Sequence, residues 1–146
     1  MVDVTDGLSN TAAFSERRVG DFSNALITPQ TDLLTGSPSP NTPDEAYAIC
    51  NALDYSTVAS QWRSDYGGHW LQGWHMTLYT HAGPPNTRSC GFPPTKMIMV
   101  PNSNHPQGLN LLLCDGSVRF VKSTVNLATW RALGTKDGRE VIPSDF

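Results

Sequence analysis

Residues 109–122 read LNLLLCDGSVRFVK, and this stretch decides the fold. Leucines dominate its first half, apolar and polar side chains alternate in its second half, and Asp115-Gly116 lies between them. An Asp-Gly pair favours a two-residue type I′ turn, in which both central residues need positive φ. We therefore predict two antiparallel strands, 109–114 and 117–122, joined at Asp115-Gly116.

The predicted turn also fixes which side chains share a face. It pairs Cys114 with Ser117, and the pairs Leu113–Val118, Leu112–Arg119 and Leu111–Phe120 follow from it. Because side chains alternate between the two faces of a strand, one face collects most of the apolar residues. We predict that this core face consists of Leu109, Leu111, Leu113, Val118 and Phe120. The opposite face would carry Asn110, Leu112, Cys114, Ser117, Arg119 and Val121.

Two helices are predicted from capping signals. Thr42, Pro43 and Glu45 form a capping box with proline at the first helical position. Apolar residues then recur at helical spacing as far as Leu53, so this helix should end near Asp54 or Tyr55. The second helix begins at Asn126 and stops at Gly134. Its apolar face would consist of Leu127, Trp130 and Leu133.

The rest of the chain reads as short strands and loops. We predict strands within residues 12–16 and 96–100. Residues 28–42 read as a loop, because they contain Pro29, Gly36, Pro38 and Pro40. The expected fold is a single α+β domain over residues 1–146, with an antiparallel β-sheet, short helices and long loops.

Composition excludes several classes of function. Net charge is −3 and the longest cationic run is Arg17-Arg18, which argues against nucleic-acid binding. No stretch approaches the ~18–20 apolar residues of a membrane span, so we expect no membrane contact by this chain. The polar opening Met1–Asp6 contains no signal peptide, which by itself would indicate the cytoplasm.

The three cysteines are Cys50, Cys90 and Cys114. None forms a C-x-x-C pair, so a zinc ribbon or a thioredoxin-type motif is not indicated. Cys50 lies in the first predicted helix, Cys90 in a Pro/Gly-rich loop and Cys114 in an apolar strand. We predict a disulfide between Cys50 and Cys90, with Cys114 as a buried free thiol. Three free thiols in a reducing compartment are the alternative.

Several segments together resemble a large bacterial family. His105 is followed by nine residues and then Asp115-Gly116. This H-X9-DG pattern is similar to the C-terminal signature of prepilin-like proteins, a group also described as a family-10 solute-binding-like domain of unknown function. Residues 5–11 (TDGLSNT) with Glu16, residues 84–90 (PPNTRSC) and residues 127–135 (LATWRALGT) resemble further motifs of the family. The likeness runs from near residue 4 to the end of the chain.

The resemblance implies a secreted or cell-surface protein with a pilin-like or pseudopilin-like head. Family members begin with a prepilin leader and a long hydrophobic helix, and this sequence contains neither. We therefore expect an extracytoplasmic C-terminal head fragment whose export signal lies upstream. The family's biochemical function is not settled, so the resemblance implies location and architecture more than activity.

The motif residues His105 and Asp115 invite the hypothesis of a catalytic dyad. At ~3.3 Å per residue, Asp115 lies about 20 Å from the base of the predicted hairpin, whereas His105 precedes the base. We therefore interpret Asp115-Gly116 as turn chemistry. We interpret His105 as a hydrogen-bonded residue that anchors its loop, and a contact with a ligand or a partner is the alternative.

The remaining polar clusters also favour structural roles. His69, His75 and His81 recur every six residues, which matches no zinc signature, and we interpret them as scattered surface histidines. Asp6, Gly7 and Asn10 lie in an oxygen-rich segment without the order of a calcium loop, so we predict a turn and a helix cap. No nucleophile elbow is present. We expect no enzyme activity, no metal and no cofactor.

Aromatic residues are dense between residues 60 and 80. Trp62, Tyr66, Trp70 and Trp74 form a candidate binding surface for a glycan or a small solute, although most of them would be core residues. Two functions remain open. The chain is either a structural subunit that docks with itself or with other surface proteins, or an extracytoplasmic glycan- or solute-binding module.

Overall fold

The structure is a computed structural model. It describes residues 3–57, 60–69, 71, 77–143 and 146. Within these residues the chain is α+β, as predicted. A short 3₁₀ helix covers Leu8–Asn10. The strands are β1 (Ala12–Ser15), β2 (Leu33–Thr35), β3 (Gln61–Arg63), β4 (Ser89–Phe92), β5 (Lys96–Ile98), β6 (Gly108–Leu113) and β7 (Val118–Lys122); the helices are α1 (Pro43–Ala52) and α2 (Leu127–Ala132).

The strands form two sheets rather than one. The hairpin sheet has the order β1-β6-β7 and is antiparallel. The mixed sheet has the order β3-β2-β4-β5, with a parallel pair at β2–β4. The predicted antiparallel sheet therefore accounts for the first sheet and for only part of the second.

The predicted hairpin forms, but its register is shifted by one residue. Leu112 pairs with Val118, Leu111 with Arg119 and Leu109 with Val121. The amide of Gly116 donates to the carbonyl of Leu113, and the amide of Leu113 donates to the carbonyl of Ser117. Only Gly116, at φ +88°, has a positive φ in this loop. The connection is therefore a three-residue loop with a glycine bulge, which Asp-Gly also suits, rather than a type I′ turn.

The shifted register exchanges the two faces of β7. Val121 is fully buried, whereas Val118 is 62% and Phe120 46% exposed, so the predicted core positions of Val118 and Phe120 were wrong. The actual inner face packs on Trp130 and Leu133. Its buried strand residues are Leu109, Leu111, Leu113 and Val121. A one-residue slip moves every side chain of a strand to the other face, which explains the error.

Both helices begin where their caps predict. Thr42 Oγ1 accepts from the amide of Glu45 at 3.2 Å, and Pro43 opens α1. This helix ends at Ala52, two or three residues earlier than predicted. Asn126 Oδ1 accepts from the amides of Ala128 and Thr129 at the start of α2.

A disulfide joins Cys50 of α1 to Cys90 of β4, the pair that the sequence indicated. Both residues are fully buried in a cluster with Leu34 and Phe92. Cys114 is a free thiol, but it is half-buried in the hairpin loop and not in a strand. The shorter β6 explains this difference, because the bulged loop takes Cys114 as its first residue.

The predicted loop at 28–42 contains the central strand β2. Leu33 and Leu34 are fully buried on opposite faces of the mixed sheet. Leu34 belongs to the cluster that faces α1, and Leu33 packs with Tyr66 and Met99. A strand of three residues among turn residues has almost no periodicity to detect, so tertiary pairing alone defines it.

Asn86 connects the hairpin sheet to the loop after β5 through its backbone and its side-chain amide. Its amide N–H donates to Pro101 O, and its Nδ2 donates to Gly108 O at the start of β6 and to Ser123 Oγ after β7. Its Oδ1 accepts from the amide of Ser103. The residue has φ +63°, a left-handed conformation that asparagine tolerates well. The P-P-N segment therefore fixes the hairpin sheet to the preceding loop.

The register can be tested by a matched pair of substitutions. Val121→Ala removes two methyl groups from a fully buried site and should lower the free energy of unfolding by about 2 kcal/mol. Val118→Ala changes an exposed site and should shift the free energy of unfolding by less than about 0.5 kcal/mol. Urea unfolding of both variants measures the difference. A larger loss for Val118→Ala than for Val121→Ala would support the type I′ register instead.

Candidate functional site

The two residues of the H-X9-DG pattern bond to different partners. His105 Nε2 lies 3.2 Å from Glu16 Oε1, and its ring meets Phe120 edge-on with centroids 6.3 Å apart. The Asp115 carboxylate accepts from the amide and the hydroxyl of Ser117, at 2.9 and 2.7 Å. Asp115 therefore stabilises the hairpin loop, while His105 contacts the sheet near the start of β6.

Glu16 holds the end of β1 against β6. Its Oε2 accepts from the amide of Asn110 at 3.0 Å, and its Oε1 accepts from Asn110 Nδ2 at 2.8 Å. Burial alone would raise the pKa of Glu16, but hydrogen bonds from Asn110 and Ser103 and the charge of His105 lower it overall. Sequence reasoning noted Glu16 only as part of a motif and missed this contact with His105 and Asn110.

Asp6 anchors the C-terminal segment instead of capping a helix. Its carboxylate accepts from the amides of Gly138 and Arg139, at 2.9 and 2.7 Å, and from Thr135 Oγ1. Gly7, with φ +93°, stands at the N-cap of the 3₁₀ helix without a side-chain bond. Asn10 Nδ2 donates to Asp6 O. The predicted turn forms, but the predicted helix cap was wrong because these donors take up both carboxylate oxygens.

The aromatic residues do not form one surface in the described part of the chain. Tyr66 is buried, and the guanidinium carbon of Arg17 lies 3.0 Å above its ring centre. Trp62 is 37% exposed, and its ring covers the backbone of Gly91. Trp70 and Trp74 lie outside the described residues. Of the two members of the predicted set that the structure describes, Trp62 is the one partly open to solvent.

Trp62 lines a shallow cleft of about 350 Å³. The other lining residues are Phe22, Asn24, Arg63, Ser64 and Asp65. Arg63 and Asp65 form a bidentate ion pair beside the tryptophan, with N–O distances of 2.9 and 2.8 Å. An aromatic face with planar polar groups around it suits a sugar ring or another neutral, partly apolar solute.

The histidines are less alike than the sequence suggested. His81 stacks on Trp130 with ring centroids 4.0 Å apart, and its Nδ1 lies 2.6 Å from Trp130 O. Burial lowers the pKa of His81 to about 4, so its imidazole is neutral, and the residue is half-buried against Trp130 instead of standing free on the surface. His69 is half-exposed beside Asp65, and His75 lies outside the described residues. Among the residues that are described, no group of three potential metal ligands occurs.

An apolar patch covers the outer face of the hairpin sheet. Phe14, Leu112 and Val118 are direct cross-strand neighbours on β1, β6 and β7. Phe120 follows Val118 on the same face, with its ring over Gly108. Phe14 is 70% exposed, and Leu112 is half-buried. We refer to these four residues as the apolar patch. Contiguous exposed apolar side chains commonly mark an interaction surface.

Comparison with known proteins identifies the family. Residues 1–128 match the family model described as "Protein of unknown function (DUF1559)", and the chain belongs to this family. No curated protein and no solved structure matched the chain. None of the helices in the described residues is long and apolar enough to cross a membrane.

The contact of Glu16 with Asn110 should make stability depend on pH. The pKa of Glu16 in the folded chain lies below its ordinary value of 4.5, so its contribution is complete above that pH and is lost as pH falls through the folded-state pKa. Glu16→Gln removes the contribution of the ionised carboxylate and should lower the free energy of unfolding at pH 7 by about 1 kcal/mol. Urea unfolding from pH 3 to 7 measures both effects.

The exposed carboxylate of Asp137 provides the control for this measurement. Asp137→Asn should leave the loss of unfolding free energy at acid pH the same as in the wild type. If Glu16→Gln loses stability below pH 4.5 as steeply as the wild type does, the structural role assigned to Glu16 is wrong.

Proposed function

We propose that this chain is a non-catalytic extracytoplasmic head domain, a pilin-like or pseudopilin-like structural subunit of a cell-surface assembly. The apolar patch carries the proposal. Its four side chains lie on the open face of a three-stranded sheet whose other face is already filled by α2. A subunit that must dock needs such a face, whereas an isolated soluble domain gains nothing from exposing it.

The disulfide supports the extracytoplasmic location. Cys50 and Cys90 are joined in the core of the mixed sheet. Disulfides form and persist in oxidising compartments, such as the cell surface and the bacterial periplasm, and are rare in the reducing cytosol. The H-X9-DG likeness to prepilin-like proteins points to the same location.

The use of the carboxylates supports a non-catalytic role. Asp6, Glu16 and Asp115 accept hydrogen bonds from protein donors, and these bonds lower their pKa values. A general acid needs a raised pKa, which these three groups lack. Their chemistry fits the stabilisation of loops and strand ends.

A second candidate is a binding module for a glycan or a small neutral solute, and the half-exposed Trp62 in its cleft favours it. A panel of neutral oligosaccharides, titrated against intrinsic tryptophan fluorescence, tests this function. A binding module should give a saturable change that Trp62→Ala abolishes, while Phe14→Ala, on the separate apolar patch, should leave it intact. Absence of any saturable change would remove this candidate.

The assembly function is tested in the producing bacterium with the full-length gene product. Cells are sheared, and the supernatant is sedimented at high speed. We expect the protein in the sheared, sedimenting fraction, because a surface assembly breaks off as large particles. Val118→Asp should reduce this fraction several-fold with total protein unchanged, because it places a charge on the apolar patch.

Leu26→Asp is the matched control, because Leu26 is 65% exposed but lies outside the hairpin sheet. It should leave the sheared fraction unchanged. Recovery of the wild-type protein only in the cytosol, or only as a monomer in the medium, would contradict the proposed function.

A further inference from the structure

We propose that a calcium ion binds where the loop of residues 21–32 meets β3, with oxygen atoms of Asp32 and Gln61 as ligands. This inference goes beyond the proposed function and does not depend on it. It rests on a buried carboxylate without an ion-pair partner in the described part of the chain, and on two shielded oxygen atoms that receive no hydrogen bond there.

The carboxylate of Asp32 is buried and only half satisfied. The side chain belongs to a residue that is 1% exposed, and its Oδ2 accepts from the amide of Thr28 at 2.7 Å and from Gln61 Nε2 at 2.8 Å. Its Oδ1 is shielded from solvent and has no donor among the described residues. Because an isolated buried charge is strongly destabilised, buried carboxylates normally pair with a cation or coordinate a metal. The Oδ1 atom of Asp32 therefore needs a positive partner.

Gln61, the first residue of β3, supplies a second oxygen of the same kind. Its Nε2 donates to Asp32 Oδ2 and to Ser23 O at 2.9 Å, whereas its Oε1 is shielded and receives no hydrogen bond from the described residues. Bond lengths place Asp32 Oδ1 and Gln61 Oε1 on either side of the 2.8 Å hydrogen bond, at most about 7 Å apart. A carboxylate oxygen and an amide oxygen both accept, so a cation can satisfy both where neither can satisfy the other.

The charges around Asp32 also favour a cation. Burial raises the pKa of the Asp32 carboxyl, the amide of Thr28 lowers it, and the charge of Asp21 raises it further, so that the net direction is upward. The fold therefore destabilises the ionised form of this carboxylate. Asp21 is exposed on the same loop, and its Oδ2 accepts from Thr28 Oγ1 at 2.8 Å. Two neighbouring carboxylates repel each other, and a divalent cation reverses that repulsion.

The types of oxygen atom select calcium. Ca²⁺ accepts carboxylate and amide oxygens in a flexible arrangement, whereas Mg²⁺ demands near-ideal octahedral geometry and loses its water reluctantly. The described residues hold no group of three histidine, cysteine, aspartate or glutamate side chains, so a calcium site here depends on neutral oxygens as well as carboxylates. With so few charges, we expect a dissociation constant of roughly 10⁻⁴–10⁻³ M, the range of extracellular calcium modules. Gln61 lies 29 residues after Asp32, so no local motif reveals the pair.

A calcium ion at this position would fix one wall of the cleft at Trp62. Phe22 and Asn24, from the loop of residues 21–32, line that cleft together with Trp62, which follows Gln61 in β3. Without the ion, the loop is attached to Gln61 through the two hydrogen bonds of its Nε2. An ion that contacts Asp32 and Gln61 joins the loop to the strand more firmly, and so holds the cleft in one shape.

Thermal melting of the purified chain tests the site. After treatment with EDTA, the chain is melted in CaCl₂, in MgCl₂, and in NaCl of equal ionic strength. At a calcium concentration about ten times the dissociation constant, Ca²⁺ should raise the melting temperature by about 4 °C relative to NaCl, and Mg²⁺ should raise it less.

Asp32→Asn is the decisive variant, because it removes the charge and keeps the shape. Its new amide nitrogen can donate to Gln61 Oε1, so the variant should fold and should melt no lower than the wild type in EDTA. The shift caused by Ca²⁺ should disappear. Asp54→Asn changes an exposed carboxylate in a different turn and should retain the full shift.

Luminescence of Tb³⁺, which binds the same oxygen ligands as Ca²⁺, measures binding directly. Light absorbed by tryptophan should excite a bound Tb³⁺, because Trp62 adjoins Gln61 in the chain. We expect a saturable emission that Ca²⁺ displaces and that Asp32→Asn abolishes. Asp21→Asn should raise the dissociation constant several-fold, because it removes the second carboxylate.

The inference is overturned if Ca²⁺ gives no larger thermal shift than NaCl, or if Asp32→Asn keeps the shift and the emission. A wild-type chain that ignores Ca²⁺ but loses a destabilising effect of Asp32 as pH falls would show that this carboxyl binds a proton instead of a metal. The assembly function is measured separately with the apolar-patch variants, so its outcome and this one are independent.

Discussion

The left-handed backbone of Gly116 is the constraint on which the hairpin sheet depends. A three-residue loop closed by this glycine shifts β7 by one position relative to a two-residue turn. The shift buries Val121 beneath α2 and turns Val118 and Phe120 outward. The side chains that β7 contributes to the inner core and to the apolar patch follow from that register. A single backbone conformation therefore separates the stabilising face from the face available for docking.

Features governed by local chemistry could be predicted from the sequence, and features governed by distant pairing could not. The caps at Thr42 and Asn126 need only neighbouring residues, and both helices begin as expected. The Asp-Gly pair marked a turn correctly but suits two loop lengths, so it could not set the register. Strand β2 has three residues and owes its existence to β3 and β4, which lie far away in the chain.

The candidate site shows the same division between contacts set by neighbouring residues and contacts set by distant ones. The H-X9-DG spacing separates His105 from Asp115, and the structure gives each a different partner. Glu16 lies 94 residues before Asn110, so no local pattern could reveal their contact. Aromatic density suggested a surface near residue 66, yet Tyr66 lies in the core beneath Arg17. Burial is a property of the whole fold, and composition alone cannot assign it to one aromatic residue rather than another.

The disulfide has a mechanical consequence for a domain of this kind. When tension acts between the two ends of the chain, the load passes directly from Cys50 to Cys90 through the sulfur–sulfur bond. The backbone between these two cysteines then lies outside the line of force and carries none of it. Strand β3, with Trp62 at its centre, falls within this bypassed segment. Pulling on the chain ends can therefore peel away the hairpin sheet, while the residues inside the covalent loop cannot be extended until that bond is broken.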